Sequence, residues 1–250
     1  MAKNGGMTGV ENRTRRCILG VFAHPDDETS GCAGTFAKYA RQGVEVYVVT
    51  ATRGERGELG TGGLAIDREN LPAVRENELR AVLELYGANP PILLGYRDQE
   101  VSSAAFEELV QNILAAMERT TPDVVITFGP SGISNHADHK AIHGAACEAF
   151  HRYRQPLGRD LRLYYVALPE DIARQFAFNL DATEMDVSVT VDITALKSVK
   201  VRALRMYRSQ PDAQALADLF ESNPWNAEWF HQAYPAVALT SQTSAGFWSS

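Results

Sequence analysis

Three cysteines, Cys17, Cys32 and Cys147, are all that the 250 residues contain, and no two of them stand in CxxC spacing. That argues against a structural zinc site closed by thiolates and gives no disulfide framework; reduced thiols in a cytoplasmic protein are the expectation. Long apolar runs are missing too, since none approaches the ~20 residues that a helix needs to span a bilayer. The opening residues lack the apolar segment of a secretory signal, so residues 1–14 read as a flexible lead-in. Basic charge is in the minority: 24 Lys and Arg against 31 Asp and Glu leave a formal net charge of −7. Such a balance disfavours a nucleic-acid partner, because phosphate binding needs a concentrated basic surface. The glycine-rich stretch from Gly54 to Gly63 fits neither GxGxxG nor a GxxxxGK motif followed by Ser or Thr, which argues against a nucleotide site. No repeat and no linker divides the chain. With 45% hydrophobic and 22% charged residues it reads as one globular domain over 15–235, followed by a tail at 236–250.

What is present is an alternation of short apolar runs with helical patterns. Strands are predicted at 17–23, 44–50, 91–94, 123–128 and 161–166, with helices at 29–42, 69–86, 103–119 and 138–153 between them. This order specifies an α/β protein: a Rossmann-like, mostly parallel sheet with helices on both faces. A looser C-terminal part forms a smaller α/β extension, with a strand at 188–193, a helix at 194–207 and another beginning at Pro211. Residues 223–235, which carry Trp225 and Trp229, read as a segment packed across the body or at an oligomer interface, and residues 240–250 as frayed.

Two loops carry the chemistry. His24-Pro-Asp-Asp-Glu28 follows the first strand, and His136-Ala-Asp-His139 follows the strand at 123–128. Ligands in open α/β sheets bind beyond the strand C-termini, so both loops are placed at one edge of the sheet. Imidazole with carboxylate suits zinc or a related first-row ion, and a catalytic zinc commonly keeps three protein ligands and an open position. His136 and His139 share a face on a first helical turn. Adjacent Asp26 and Asp27 diverge, so one carboxylate can take metal while its neighbour faces water; the plain alternative is that both cap the next helix.

Together, Ala23-His-Pro-Asp-Asp-Glu28 and His136-Ala-Asp-His139 resemble the zinc-dependent N-acetylglucosaminyl deacetylases of the LmbE-like, or PIG-L, family, over about residues 17–232. The resemblance implies that His24, Asp27 and His139 are zinc ligands and that Asp26 is the general base. It implies further that His136 is a protonated oxyanion stabiliser or acid, with Asp138 orienting and charging it. Arg75 matches an arginine that contacts the sugar, and Thr52 to Gly57 a loop that lines the pocket. The ligand set also accepts iron(II) or another divalent ion. The implied substrate is a small N-acetylated amino-sugar conjugate of unspecified aglycone.

Two positions depart from the family pattern. Ser134 stands where some members carry a tyrosine, and Tyr207 where a histidine is usual. Arg53, directly after a strand end, is a candidate for an acidic aglycone, whereas Arg56 and Arg97 read as solvated loop charge. Trp225 and Trp229 read as packing residues. Alternatives to the deacetylase are an amidase acting on a related thiol-sugar conjugate, a non-catalytic metal- or sugar-binding module, and a phosphoester hydrolase, for which two metals are expected.

Overall fold

The computed structural model describes residues 15–155, 159–236 and 244–248. The expected lead-in at 1–14 lies outside the described residues, as does most of the expected tail.

β1 (Cys17–Phe22) is buried at every position, the pattern of a central parallel strand covered on both faces. It pairs in parallel with β2 (Glu45–Thr50) on one side and β4 (Val124–Thr127) on the other. β3 (Ile92–Leu93) extends the sheet beyond β2, and β5 (Arg162–Ala167) extends it beyond β4. The full order is β3-β2-β1-β4-β5-β7-β6, seven strands in all. Winding therefore reverses between β1 and β4, and a crevice opens beyond the C-terminal ends of these two strands.

Right-handed crossovers place α1 (Asp27–Arg41) and α2 (Leu71–Tyr86) on one face and α3 (Phe106–Thr120) and α4 (Ala137–Arg154) on the other. Helix α2 stops at Gly87, whose φ of 78° is the left-handed conformation of a glycine C-cap. The buried core is continuous across both faces of the sheet. At its upper rim Phe22 and Phe128 meet edge to face, 5.4 Å between ring centres, directly beneath the crevice.

The C-terminal extension joins the same sheet. After β5 come α5 (Glu170–Gln175), α6 (Ala182–Met185), β6 (Val189–Asp192), α7 (Lys197–Met206) and α8 (Pro211–Ser222). Residues 223–235 hold more than a packing segment: Ala227–Tyr234 forms β7, inserted antiparallel between β5 and β6. The strand was hidden because Ala-Glu-Trp-Phe-His-Gln-Ala-Tyr has no β-branched residue and carries an inward-pointing charge at its second position. Glu228, 2% exposed, is accommodated by Lys200 at 2.6 Å and by the Gly34 and Thr35 amides of α1 at 3.0 and 2.7 Å. Trp225 does pack, edge-on against Phe176 and Phe220. The fraying expected of 240–250 does not reach 244–248. Phe247 is fully buried and stacks on Tyr39 at 5.3 Å, a side chain whose burial stabilises by about 1.5–3 kcal/mol.

Candidate active site

The loops after β1 and β4 meet at the switch point. His24 leaves β1 as a buried residue, and its backbone amide donates to Asp27 Oδ2 at 2.7 Å, which folds the loop back on itself. His139 lies in the first turn of α4, with its ring stacked on Phe128 at 4.1 Å. Between the two rings, His24 Nδ1 and His139 Nε2 are 3.1 Å apart. Asp27 closes the third side, Oδ1 being 3.3 Å from His139 Nε2 and Oδ2 3.6 Å from His24 Nδ1.

The far nitrogens fix the tautomers. His139 Nδ1 faces the Gly132 carbonyl at 2.9 Å, which only accepts, so Nδ1 carries the proton and Nε2 a lone pair. His24 Nε2 faces Asp98 Oδ1 at 3.0 Å and Asp138 Oδ2 at 3.3 Å, both acceptors, so its Nδ1 is likewise a lone pair in the neutral ring. Two lone pairs and a carboxylate aimed at one small volume require a positive charge there. A proton on His24 meets that need in one state of the protein. Burial opposes it, but the hydrogen bonds to Asp138 and Asp98 and the charge of Asp27 win, raising the His24 pKa to about 10. The donor set of two imidazoles and one carboxylate equally fits a divalent first-row cation.

His136 adds a ring 4.8 Å from His24, edge to face. Donor atoms of His24, His136 and His139 all lie within 4.8 Å of one another, as do those of His24, Asp98, His136 and Asp138. The carboxylates of the second group also serve the backbone, as Asp27 does. Asp138 accepts from the amides of Gln99 and Ser102, and Asp98 from that of Arg56 at 2.9 Å. His136 Nδ1 accepts the Asp138 amide at 3.1 Å, which leaves Nε2–H as a donor. Burial and the neighbouring His24 and His139 lower the His136 pKa and favour that neutral form. The Asp138 carboxylate, expected against His136, instead meets His24.

Asp26 stands apart from this cluster. Its backbone is left-handed, φ 102°, an uncommon conformation for a side-chain-bearing residue. Three contacts impose it. The Asp26 amide donates to Glu28 Oε2 at 3.1 Å, Arg75 donates to the Pro25 carbonyl, and Arg75 reaches Asp26 Oδ2 at 2.9 Å. Burial pushes the Asp26 pKa up to about 7, opposed by Arg75 and assisted by Asp27 and Glu28. Arg75 itself is 3% exposed and also donates to the Gly54 carbonyl. Gly54 has φ +66°, and a Cβ there would lie 2.0 Å from the guanidinium, so glycine is required. Arg53 is half exposed and paired with Glu76 at 3.0 Å; Arg56 and Arg97 sit at the surface beside Glu100.

The two departures from the family pattern have clear places. Ser134 Oγ lies 2.9 Å from His139 Nδ1. Tyr207 is fully buried, and its hydroxyl donates to Glu28 Oε1 at 2.7 Å, so it supports the carboxylate that holds the Asp26 amide. Sequence reasoning missed Asp98. Its signal was position: it follows β3, and the rule that put His24 and His136 in the crevice applies to every parallel strand end.

Two His/Asp loops thus meet at the switch point of a parallel sheet, with donors fit for one cation and a separate carboxylate beside them. A family model described as PIG-L, GlcNAc-PI de-N-acetylase, matches residues 19–150, more than half of the 250, and the chain belongs to this family. A relative from Mycolicibacterium vanbaalenii, named 1D-myo-inositol 2-acetamido-2-deoxy-alpha-D-glucopyranoside deacetylase, is 31% identical over 80% of this chain and 84% of its own. A Bacillus subtilis protein named probable N-acetyl-alpha-D-glucosaminyl L-malate deacetylase 2 is 28% identical over 86% and 94%. Among solved structures, N,N'-diacetylchitobiose deacetylase from Pyrococcus horikoshii has a TM-score of 0.67 at 22% identity, covering 88% of this chain and 84% of its own. GalB, a 4-carboxy-2-hydroxymuconate hydratase from Pseudomonas putida, also has a TM-score of 0.67, at 20% identity over 89% and 98%. A deacetylase and a hydratase at the same score show the fold alone, so the reaction has to be argued from the site. No helix among the described residues is long and apolar enough to cross a membrane.

Proposed function

We propose that the protein is a metal-dependent N-deacetylase that hydrolyses the acetamide of an N-acetylglucosaminyl conjugate. One observation carries the reading: His24 Nδ1 and His139 Nε2 face each other at 3.1 Å beside Asp27, with Asp26 held just outside that cluster by Arg75. In this reading His24, Asp27 and His139 hold the ion, zinc by preference, with iron(II) or another divalent metal admitted by the same donors. Such an ion, when bound, supplies Lewis acidity and a water acidified to a pKa near ~7.

The chain supplies the rest. Asp26 takes the proton of the attacking water, its carboxylate aimed by Arg75 and by the grip of Glu28 on its amide. His136 offers Nε2–H to the oxygen that becomes negative as the acetamide carbonyl turns tetrahedral, and the proton that Asp26 has taken from the water passes to the departing amine. Asp138 orients His136 through its backbone amide and His24 through its carboxylate. Asp98 shares the second task. Ser134 leaves the oxyanion to His136, since its own hydroxyl is turned to His139. Arg53, three residues past β2 and paired with Glu76, is the candidate to meet an acidic aglycone. The three cysteines, none of them in a disulfide, suit a reducing cytoplasm.

The test is amine release from a panel of N-acetylglucosaminyl glycosides with neutral and acidic aglycones, using zinc-loaded and metal-stripped protein. One amine and one acetate per turnover, from the loaded protein alone, are expected. Zinc-loaded protein that releases amine from no member of the panel would overturn the reading.

A further inference from the structure

The loop between β4 and α4 contains a run that its own sequence does not explain. Gly132, Ile133 and Asn135 all have positive φ, 67°, 60° and 62°. For glycine and asparagine that is ordinary, but a β-branched residue in the left-handed region is strained. The strained residue sits between the two groups that hold the His139 ring, because the Gly132 carbonyl and Ser134 Oγ both lie 2.9 Å from His139 Nδ1.

What holds the loop is Glu184, from the four-residue helix α6, far along the chain and fully buried. Its Oε1 accepts the Ile133 amide at 2.9 Å, and its Oε2 accepts the Ser131 amide at 2.9 Å, the Ser131 hydroxyl and the Asp181 amide at 3.2 Å. Among the described residues no side-chain cation meets this carboxylate; its charge is met by donors from the loop and from its own helix cap. Gly129 leaves the room, since a Cβ there would lie 2.2 Å from Glu184 Cγ. We propose that Glu184 is a positioning residue: by clamping Ile133 in its left-handed conformation it sets Gly132 and Ser134 against His139 Nδ1, and so keeps Nε2 aimed at the cation position.

The clamp rests on the proposed function only in taking His139 as a metal ligand. Its test therefore reads zinc affinity, by competition with a chromophoric chelator, in the full chain carrying Glu184→Gln, Ile133→Gly or both. Groups that orient a metal ligand typically contribute about 10- to 100-fold in affinity, so Glu184→Gln is expected to lose that much. Adding Ile133→Gly is expected to recover most of it, because glycine adopts the left-handed conformation without a clamp. Zinc affinity in Glu184→Gln within about twofold of wild type, the usual scatter of independent sites, overturns the proposal. So does a double variant no better than Glu184→Gln. Thermal unfolding of the metal-free proteins identifies a variant that has lost its fold. In that event Ser131→Ala, which removes one donor and keeps the buried carboxylate, is expected to weaken zinc by about 3- to 10-fold, and an unchanged affinity there is equally fatal. Wild-type protein whose zinc affinity depends on Glu184 but which deacetylates nothing would uphold the clamp and remove the deacetylase reading.

Discussion

The two loops that meet at the candidate metal site are stabilised by opposite means. The first is short and largely closes on itself: His24 bonds Asp27, Asp26 bonds Glu28, and one outside residue, Arg75, locks the turn. The second is long, passes through three left-handed residues, and is fastened by Glu184 from a different part of the chain. A short loop at a strand end can carry its geometry in contiguous residues. A longer one borrows it from whatever packs above, and here the lender is the C-terminal extension.

Substitutions can break this contrast, and the largest effect belongs to the first loop. Asp26→Ala is expected to lower kcat about 100- to 10,000-fold, the usual contribution of a positioned base, with zinc affinity unchanged. Steady-state kinetics on metal-loaded protein decide it, and full activity would remove Asp26 from its role. Lys200→Met comes next and serves as a contrast away from both loops. It strands the Glu228 carboxylate between α1 and β7 and is expected to destabilise by about 3–5 kcal/mol in urea unfolding. At temperatures where this variant stays folded its kcat should match wild type. Tyr207→Phe removes one donor to buried Glu28 and should cost about 1–3 kcal/mol of stability. It should also lower kcat with little change in KM, because the Asp26 amide loses a firm partner; an equal effect on kcat and KM would show that Tyr207 acts elsewhere. Arg53→Ala should have the smallest effect. Its exposed pair with Glu76 contributes about 0–1 kcal/mol to stability. Its KM should rise only for substrates with an acidic aglycone, and equal KM values for acidic and neutral glycosides would end the assignment.

The same contrast explains what the sequence could disclose. His24, Asp26 and Asp27 were legible because a buried apolar strand runs straight into them and the motif is contiguous. His136 and His139 were legible as a spaced pair after a second strand. Asp98 was not, since a lone aspartate after a two-residue strand resembles any turn. Glu184 and Glu228 were opaque for a different reason. A buried carboxylate is intelligible only from its donors, and those are amides of residues 131 and 133 for one and of residues 34 and 35 for the other. Strand β7 was lost with Glu228, because inward charge and the lack of β-branching masked its period. The parallel half of the sheet, by contrast, follows from alternation and buried runs.

Crystals of the zinc-loaded protein, with anomalous diffraction recorded at the zinc edge, would test the arrangement most directly. One zinc per chain is expected on His24 Nδ1, His139 Nε2 and Asp27, with Asp26 unligated and still bound to Arg75. Zinc on the opposite side of the His24 ring, held by Asp98 and Asp138, or zinc ligated by Asp26, would contradict both the metal site and the base assigned to it.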